Sequence, residues 1–292
     1  MHKTRLIVGC GYVGERVANR WKNQGDRVLA VTRSSSRASS FERRGWEPLI
    51  WDWLDPQSHL PASLPPLDTL VIAVSHAPVE GLPPESTHRM GLERLGASIA
   101  EKSHGARWIY LSTTGVFAPV HDGSWVDEDS PVGPNRPGSI AALAGEQWIA
   151  GNITSAHRVV LRPAGIYGPG RIPRWESIRD RIPLRVDPDS YLNLIHVDDL
   201  AGVIDVVANA SQVSTLYCVS DGRSPTRREY YQTISDWLRL PDPIFDPNTE
   251  RQSRSEGNKR VSPVKLHREL PIQFDYPSYR EGLKSLLGEW MS

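Results

Sequence analysis

The chain has 292 residues, 39% hydrophobic and 23% charged, and its 34 basic and 34 acidic side chains cancel to a net charge of zero. That length is enough for one large or two small cores, and the balanced charge argues against a nucleic-acid partner or an acidic membrane surface. Two cysteines, Cys10 and Cys218, are too few for a disulfide framework and have no ligand cluster around them, so a reducing compartment and no metal site are expected.

The first strand is Leu6-Ile7-Val8, and it runs into Gly9-Cys10-Gly11-Tyr12-Val13-Gly14, a G-x-G-x-x-G turn that opens a helix with Val13, Val17 and Trp21 on one face. The spacing has a physical cause. Gly9 permits the turn, Gly11 lets a pyrophosphate approach bare backbone, and Gly14 lets the helix lie close on the strand with its N-terminus facing the anion. Tyr12 and Val13 belong to the same expected dinucleotide site.

A second strand covers residues 27–32, and the position that separates the two nicotinamide cofactors falls at its end, on Thr32 and Arg33. A carboxylate there would accept from a ribose 2′-OH, whereas Thr32, Arg33, Ser34 and Arg37 offer hydroxyls and guanidiniums to a 2′-phosphate. NADP is therefore expected ahead of NAD. The other reading of this segment is a solvated basic loop, in a chain that uses 28 Arg against 6 Lys.

Residues 47–52 read as a third strand ending at Asp52 and Trp53, where Asp52 either accepts from an adenine amino group or caps the next turn. Residues 68–75 are a fourth strand whose unbroken apolar core suits a sheet covered on both faces, so its exit, Ser75-His76-Ala77-Pro78, belongs beside the cofactor together with Ala73 and Val74. A helix over 85–102 and a fifth strand over 106–112, ending at Ser112, follow. Strands alternating with helices imply a doubly wound parallel sheet of the Rossmann type, with ligands at the carboxyl ends of its strands.

From here the sequence resembles the extended short-chain dehydrogenases/reductases, the group containing NAD-dependent epimerases and dehydratases of nucleotide sugars. Four segments carry the resemblance in order: the glycine turn; Leu111-Ser112-Thr113-Thr114-Gly115-Val116-Phe117 with Val126-Asp127-Glu128-Asp129-Ser130-Pro131; Leu161-Arg162-Pro163-Ala164-Gly165-Ile166-Tyr167-Gly168-Pro169-Gly170-Arg171; and Asn193-Leu194-Ile195-His196-Val197-Asp198-Asp199-Leu200-Ala201. The resemblance implies a Rossmann domain over 1–165 plus 195–220 and a smaller substrate domain over 166–194 plus 221–292. It also implies that Pro163 and Gly165 contact the nicotinamide end, and that the helix over 139–150, with Ala141, Ala142, Ala144 and Gly145, could pair with a second copy in a homodimer.

The family's chemistry uses a Ser or Thr after the fifth strand and a Tyr-x-x-x-Lys on the next helix. The hydroxyl maps onto Thr113, but the helix, anchored by Glu146, puts Gly138 at the tyrosine and Ala142 at the lysine. No tyrosine occurs between Tyr110 and Tyr167, and no lysine between Lys102 and Lys259. Thr113 alone can orient a carbonyl but is a poor acid. His76 and His121, with Asp122 beside it, are the candidate donors on loops at strand ends, because imidazole is the side chain whose ordinary pKa lies near neutral pH; the other reading of each is a solvated loop residue. Tyr167, His196 and Asp198 read as packing and hydrogen-bonding groups. The arginines at 171, 174, 179, 181 and 185 suit either a phosphate or carboxylate on the substrate or a solvated face.

A further helix begins near Thr226, a candidate N-cap, residues 246–258 are polar and expected to form a mobile loop, and helical stretches fill 261–291. No stretch is long enough to span a bilayer, and a cytoplasmic location is expected. Two functions remain open: an oxidoreductase or epimerase-like enzyme acting on a small polar, possibly nucleotide-linked substrate, and a redox-silent NADP-binding protein that senses the cofactor or contacts a partner.

Overall fold

A computed structural model of the chain describes residues 2–246 and 257–291. In chain order its strands are β1 (Thr4–Val8), β2 (Arg27–Thr32), β3 (Glu47–Ile50), β4 (Thr69–Ile72), β5 (Arg107–Leu111), β6 (Trp125–Val126), β7 (Arg158–Pro163), β8 (Gly165–Tyr167), β9 (Leu194–His196), β10 (Leu216–Val219) and β11 (Arg260–Val261). The helices are α1 (Gly14–Asn23), α2 (Ser35–Arg43), α3 (Pro84–Ile99), α4 (Pro137–Asn152), α5 (Trp175–Arg179), α6 (Val197–Asn209), α7 (Arg227–Trp237), α8 (Val264–Glu269) and α9 (Tyr279–Met291). Two compact units result: Met1–Val116 with Pro134–Arg162 and Ala201–Tyr217, and Phe117–Gly133 with Pro163–Leu200 and Cys218–Ser292.

The first unit is built on a seven-stranded sheet of order β10-β7-β5-β4-β1-β2-β3. From β3 across to β7 every pairing is parallel, with Leu6 opposite both Leu29 and Leu70, and Leu70 opposite Trp108. Continuous apolar strands form such a sheet because both faces are covered. Leu6, Leu29, Leu70, Leu92, Leu95, Ile99 and Ile149 are buried in one cluster on one of those faces. Each such side chain contributes about 1.5–3 kcal/mol when fully buried. Strand order reverses between β1 and β4, and in this class of sheet that reversal is where a ligand crevice opens.

A charged group is buried on the opposite face of the sheet. Arg5 is 1% exposed and is held by Asp26 at 2.8 Å, the Thr69 hydroxyl at 2.6 Å and Asn209 at 2.8 Å, so all its bonds are made by partners distant in sequence. Helices α3 and α4 pack together, and the small residues Ala141, Ala142 and Gly145 are buried within the unit. A Cβ at Gly145 would collide with the Tyr110 hydroxyl. At Gly145 the close approach expected of that helix is made to Tyr110 of the same chain.

In the second unit, β8 pairs in parallel with β9, and β6 with β11. The β6–β11 pair explains why residues 117–133 group here and not with the expected Rossmann segment 1–165: Phe117 and Val126 share a cluster with Cys218 and Val261. Tyr167, Leu194, Tyr230, Ile234 and Leu283 form the unit's main core. Thr226 caps α7 through a reciprocal box with Glu229, accepting from the Glu229 N–H at 3.1 Å while the Glu229 carboxylate accepts from the Thr226 N–H at 2.7 Å. Of the polar stretch 246–258, residues 247–256 lie outside the described residues. No helix among the described residues is long and apolar enough to cross a membrane.

Candidate functional site

The glycine turn is shaped by three different constraints. Gly9 has φ +86°, and a Cβ there would stand 2.6 Å from the Ala73 carbonyl carbon, so the turn is pressed against the exit of β4. A Cβ on Gly14 would meet the Gly9 carbonyl oxygen at 2.8 Å, which leaves only glycine room where α1 joins the turn. At Gly11 a Cβ would meet nothing within 4 Å. That open backbone, at the positive end of α1, is what an anion needs for close approach.

Beside the turn lies a cavity of about 550 Å³ in the first unit. Its lining unites Gly9, Gly11, Thr32, Arg33, Arg37, Asp52, Trp53, Ala73, Val74, Ser75 and His76, the ends of β1, β2, β3 and β4 expected from the sequence. Open backbone at Gly11, guanidiniums beyond β2 and an apolar wall at Trp53 and Val74 fit a dinucleotide's pyrophosphate, ribose and ring faces. Tyr12, Val13, Gly14, Ser34, Ser112 and Thr113 do not line it. Val13 is the first residue before α1, Ser34 caps α2 by accepting from the Arg37 N–H at 3.4 Å, and the Tyr12 carbonyl accepts from Arg16 at 2.7 Å.

The basic segment after β2 is not a loop throughout: α2 begins at Ser35. Its two arginines differ. The Arg33 side chain is 72% exposed and stands 3.7 Å from the Asp52 carboxylate, whereas Arg37 donates to the Cys10 carbonyl at 2.5 Å and to Glu15 at 2.7 Å. Glu15 also receives Arg44 at 2.7 Å. Asp52 accepts from the Leu54 N–H at 3.0 Å, so it caps the following turn as well as facing Arg33. Burial, then the nearby Glu15 charge, pushes the Cys10 thiol up to about 12, which makes it an inert part of the turn.

His76 leaves the cavity wall toward α3, with Nδ1 3.2 Å from the Thr87 hydroxyl. A Cβ on Gly138, at the start of α4, would stand 3.7 Å from the His76 Cβ. The position that resemblance gives to tyrosine is therefore next to a histidine. Beneath it, His88 is 3% exposed, and its Nδ1 lies 2.6 Å from the Tyr110 hydroxyl. Burial first, and the neighbouring His76 second, depress the His88 pKa to about 4, so its imidazole is neutral at pH 7. Burial raises Tyr110 well above its ordinary value, which keeps it a phenol.

Thr113 is half-buried after β5, and its hydroxyl accepts from the Gly115 N–H at 3.1 Å. Its neighbour Ser112 is committed elsewhere: the hydroxyl donates to Glu146, which also takes a two-point contact from Arg162 at 3.0 and 2.7 Å. That buried triad joins β5, β7 and α4.

His121, Pro163 and Gly165 belong to the second unit. His121 is exposed, Pro163 ends β7, and the Gly165 N–H donates to Asn193 at 2.9 Å. In that unit His196 is buried with its ring 5.1 Å from Tyr167 and 3.8 Å from Tyr276, and the Asp198 N–H donates to its Nδ1 at 3.3 Å. Three of the arginines read as substrate contacts have local partners. Arg179 pairs with Asp180 at 2.7 Å, Arg181 donates to the Pro241 and Asp242 carbonyls at 2.7 Å, and Arg185 lies 3.3 Å from Asp246.

Thr87, His88 and Glu15 were not legible as site residues. A signal existed for His88, which shares the buried α3 face with Leu92, Leu95 and Ile99. Glu15 carried none, since only the fold brings it to Arg37 and Arg44.

Residues 6–217 match the model of the NAD dependent epimerase/dehydratase family. Protein YeeZ of Escherichia coli K12 is 27% identical over 172 residues, 59% of each chain. The dTDP-glucose 4,6-dehydratase of Streptomyces niveus is 27% identical over 158 residues, 51% of this chain and 46% of that protein. The chain thus spans less than two thirds of the length of these curated relatives. Among solved structures, a functionally unknown conserved protein from Silicibacter pomeroyi superposes with a TM-score of 0.79 at 28% identity, covering 99% of this chain and 100% of that one.

Proposed function

The chain belongs to the NAD dependent epimerase/dehydratase family, and on that premise we propose that it is an NADP(H)-dependent oxidoreductase or epimerase-like enzyme acting on a small polar substrate carrying a carbonyl or an oxidisable hydroxyl. The nucleotide-sugar name of the Streptomyces relative supports a nucleotide-linked substrate. The observation that carries the reading is His76 in the wall of the glycine-turn cavity, beside Gly138. That placement supports His76 as the proton donor at the position where the resemblance expects the tyrosine.

The residues divide the work as follows. Gly9, Gly11 and Gly14 shape the turn for the pyrophosphate, while Trp53, Ala73, Val74 and Ser75 wall the cavity. Arg33 is the main grip on a 2′-phosphate, because it is the more exposed arginine and, among the described residues, only Asp52 opposes it, at 3.7 Å. Arg37 is shared with Glu15 and contributes less. Bound NADPH supplies hydride. Thr113 orients the carbonyl, and His76 gives or takes the accompanying proton.

The same missing pair supports a second reading, a redox-silent NADP-binding protein. The test is a screen of sugar nucleotides and aldehydes with NADPH, following loss of nicotinamide absorbance. Turnover of any member at a rate proportional to protein supports the enzyme. Tight NADPH binding with no oxidation and no conversion of any sugar nucleotide by product analysis supports the silent protein.

A further inference from the structure

His76 has two ring nitrogens, and only one of them can exchange a proton with a ligand at a time. Which one it is follows from the hydrogen bonds behind the ring. The Thr87 hydroxyl lies 2.9 Å from the Pro84 carbonyl oxygen and 3.2 Å from His76 Nδ1. A carbonyl can only accept, so the single hydroxyl proton of Thr87 lies between Thr87 and Pro84, the local back-bond a helical threonine makes to a preceding carbonyl. The Thr87 oxygen then has only lone pairs to offer Nδ1. Thr87 is 2% exposed, so water does not compete for this contact. Among the described residues none hydrogen-bonds Nε2 of His76.

We propose that Thr87 is a positioning residue that holds His76 in its Nδ1–H form and makes Nε2 the proton-transferring atom. The inference rests on the reading of His76 as proton donor and adds the element that directs it. In the imidazolium both nitrogens carry protons. When a carbonyl oxygen takes the Nε2 proton as hydride reaches its carbon, the N–H electron pair stays on Nε2 and the neutral ring keeps its proton on Nδ1, still bonded to Thr87. The reverse reaction returns the proton to the same Nε2 lone pair. A neutral imidazole free to choose its tautomer would spend part of its time with Nε2–H and no basic nitrogen facing a substrate hydroxyl. The second histidine does not compete for the role: His88 is neutral through burial and is held by Tyr110.

The test is nitrogen NMR of the full chain labelled with ¹⁵N-histidine, with the His76 signals identified by their loss in His76→Gln. At a pH where the ring is neutral, wild type should show a protonated-type Nδ1 and a pyridine-type Nε2. Thr87→Val keeps the side-chain shape and removes the acceptor, and should move the signals toward Nε2–H; Thr87→Ser should restore them. Once a substrate is in hand, Thr87→Val should lose roughly tenfold or more of kcat, a part of the 10²–10⁴ that a positioned acid supplies, with KM for NADPH unchanged and Thr87→Ser recovering the rate. Nε2–H in the wild type, or signals unmoved in a folded Thr87→Val, overturns the proposal, and the wild-type spectrum decides even if Thr87→Val does not fold. If the tautomer is as stated but no substrate turns over, the enzyme reading fails and the tautomer assignment stands. If turnover occurs and the wild type is Nε2–H, only the present inference fails.

Discussion

Replacing Gly11 and Gly9 by alanine separates binding from folding within one turn. At Gly11 a methyl group meets no protein atom within 4 Å, so Gly11→Ala should melt within a few degrees of wild type. The methyl does occupy the space through which a pyrophosphate reaches the backbone. Overpacking of that kind costs about 1–3 kcal/mol, and at about 1.4 kcal/mol per factor of ten the affinity for NADPH should fall roughly ten- to a hundredfold. At Gly9 the methyl would stand 2.6 Å from the Ala73 backbone at φ +86°. A left-handed L-residue costs about 1–2 kcal/mol and the overlap about 1–3 kcal/mol, so Gly9→Ala should lose roughly 2–5 kcal/mol. For a unit of this size that lowers the melting temperature by roughly 10 °C. Differential scanning fluorimetry with and without NADPH, together with a fluorescence titration, reads both effects. A Gly11→Ala protein that binds NADPH like wild type, or a Gly9→Ala protein as stable as wild type, would refute the assignment of this turn.

Arg33→Ala should weaken NADPH roughly ten- to a hundredfold, the value of one charged hydrogen bond, and change NADH little; equal losses for both cofactors by titration would show that Arg33 does not face a 2′-phosphate. Glu146→Ala leaves Arg162 buried without the carboxylate that receives it at 2.7 Å, and should cost about 3–5 kcal/mol in denaturant unfolding; a loss below 1 kcal/mol would mean that water or a shifted side chain replaces the carboxylate. Asp221 is pushed up to about 6, first by burial and also by Asp199, against N–H donors from Arg223 and Tyr279 and the Arg223 charge, which lower it. Its folded pKa exceeds its unfolded value of about 4, so its contribution to stability is present below pH 4 and is lost as pH rises through 6. Asp221→Asn should therefore match wild type near pH 4 and melt higher at pH 7.5, and melting curves that stay parallel across that range would contradict the shift.

The sheet was legible because strands covered on both faces must be apolar throughout, as Leu70, Val71 and Ile72 are, and the glycine turn because its spacing answers local demands on the backbone. The β6–β11 pairing was not. A two-residue strand such as β6 has no periodicity to read, and its partner β11 lies more than 130 residues later. Salt bridges fail for the same reason: the basic run after β2 shows two available guanidiniums, and nothing local says that Arg37 turns back to Glu15 while Arg33 stays exposed. The small residues of α4 indicated close packing but not against what; at Gly145 the neighbour is Tyr110 of the same chain. His76 could be proposed from its place at a strand end. Its relation to Gly138 and Thr87 required the fold.

The central claim is that His76 supplies the proton in a reaction carried out with NADPH, and the most direct measurement compares wild type with His76→Gln on the best substrate from the panel, under saturating NADPH. The account predicts that His76→Gln binds NADPH within about threefold of wild type and loses on the order of 10²–10⁴ in kcat. An unchanged kcat in His76→Gln, with NADPH oxidised by both proteins, would contradict it.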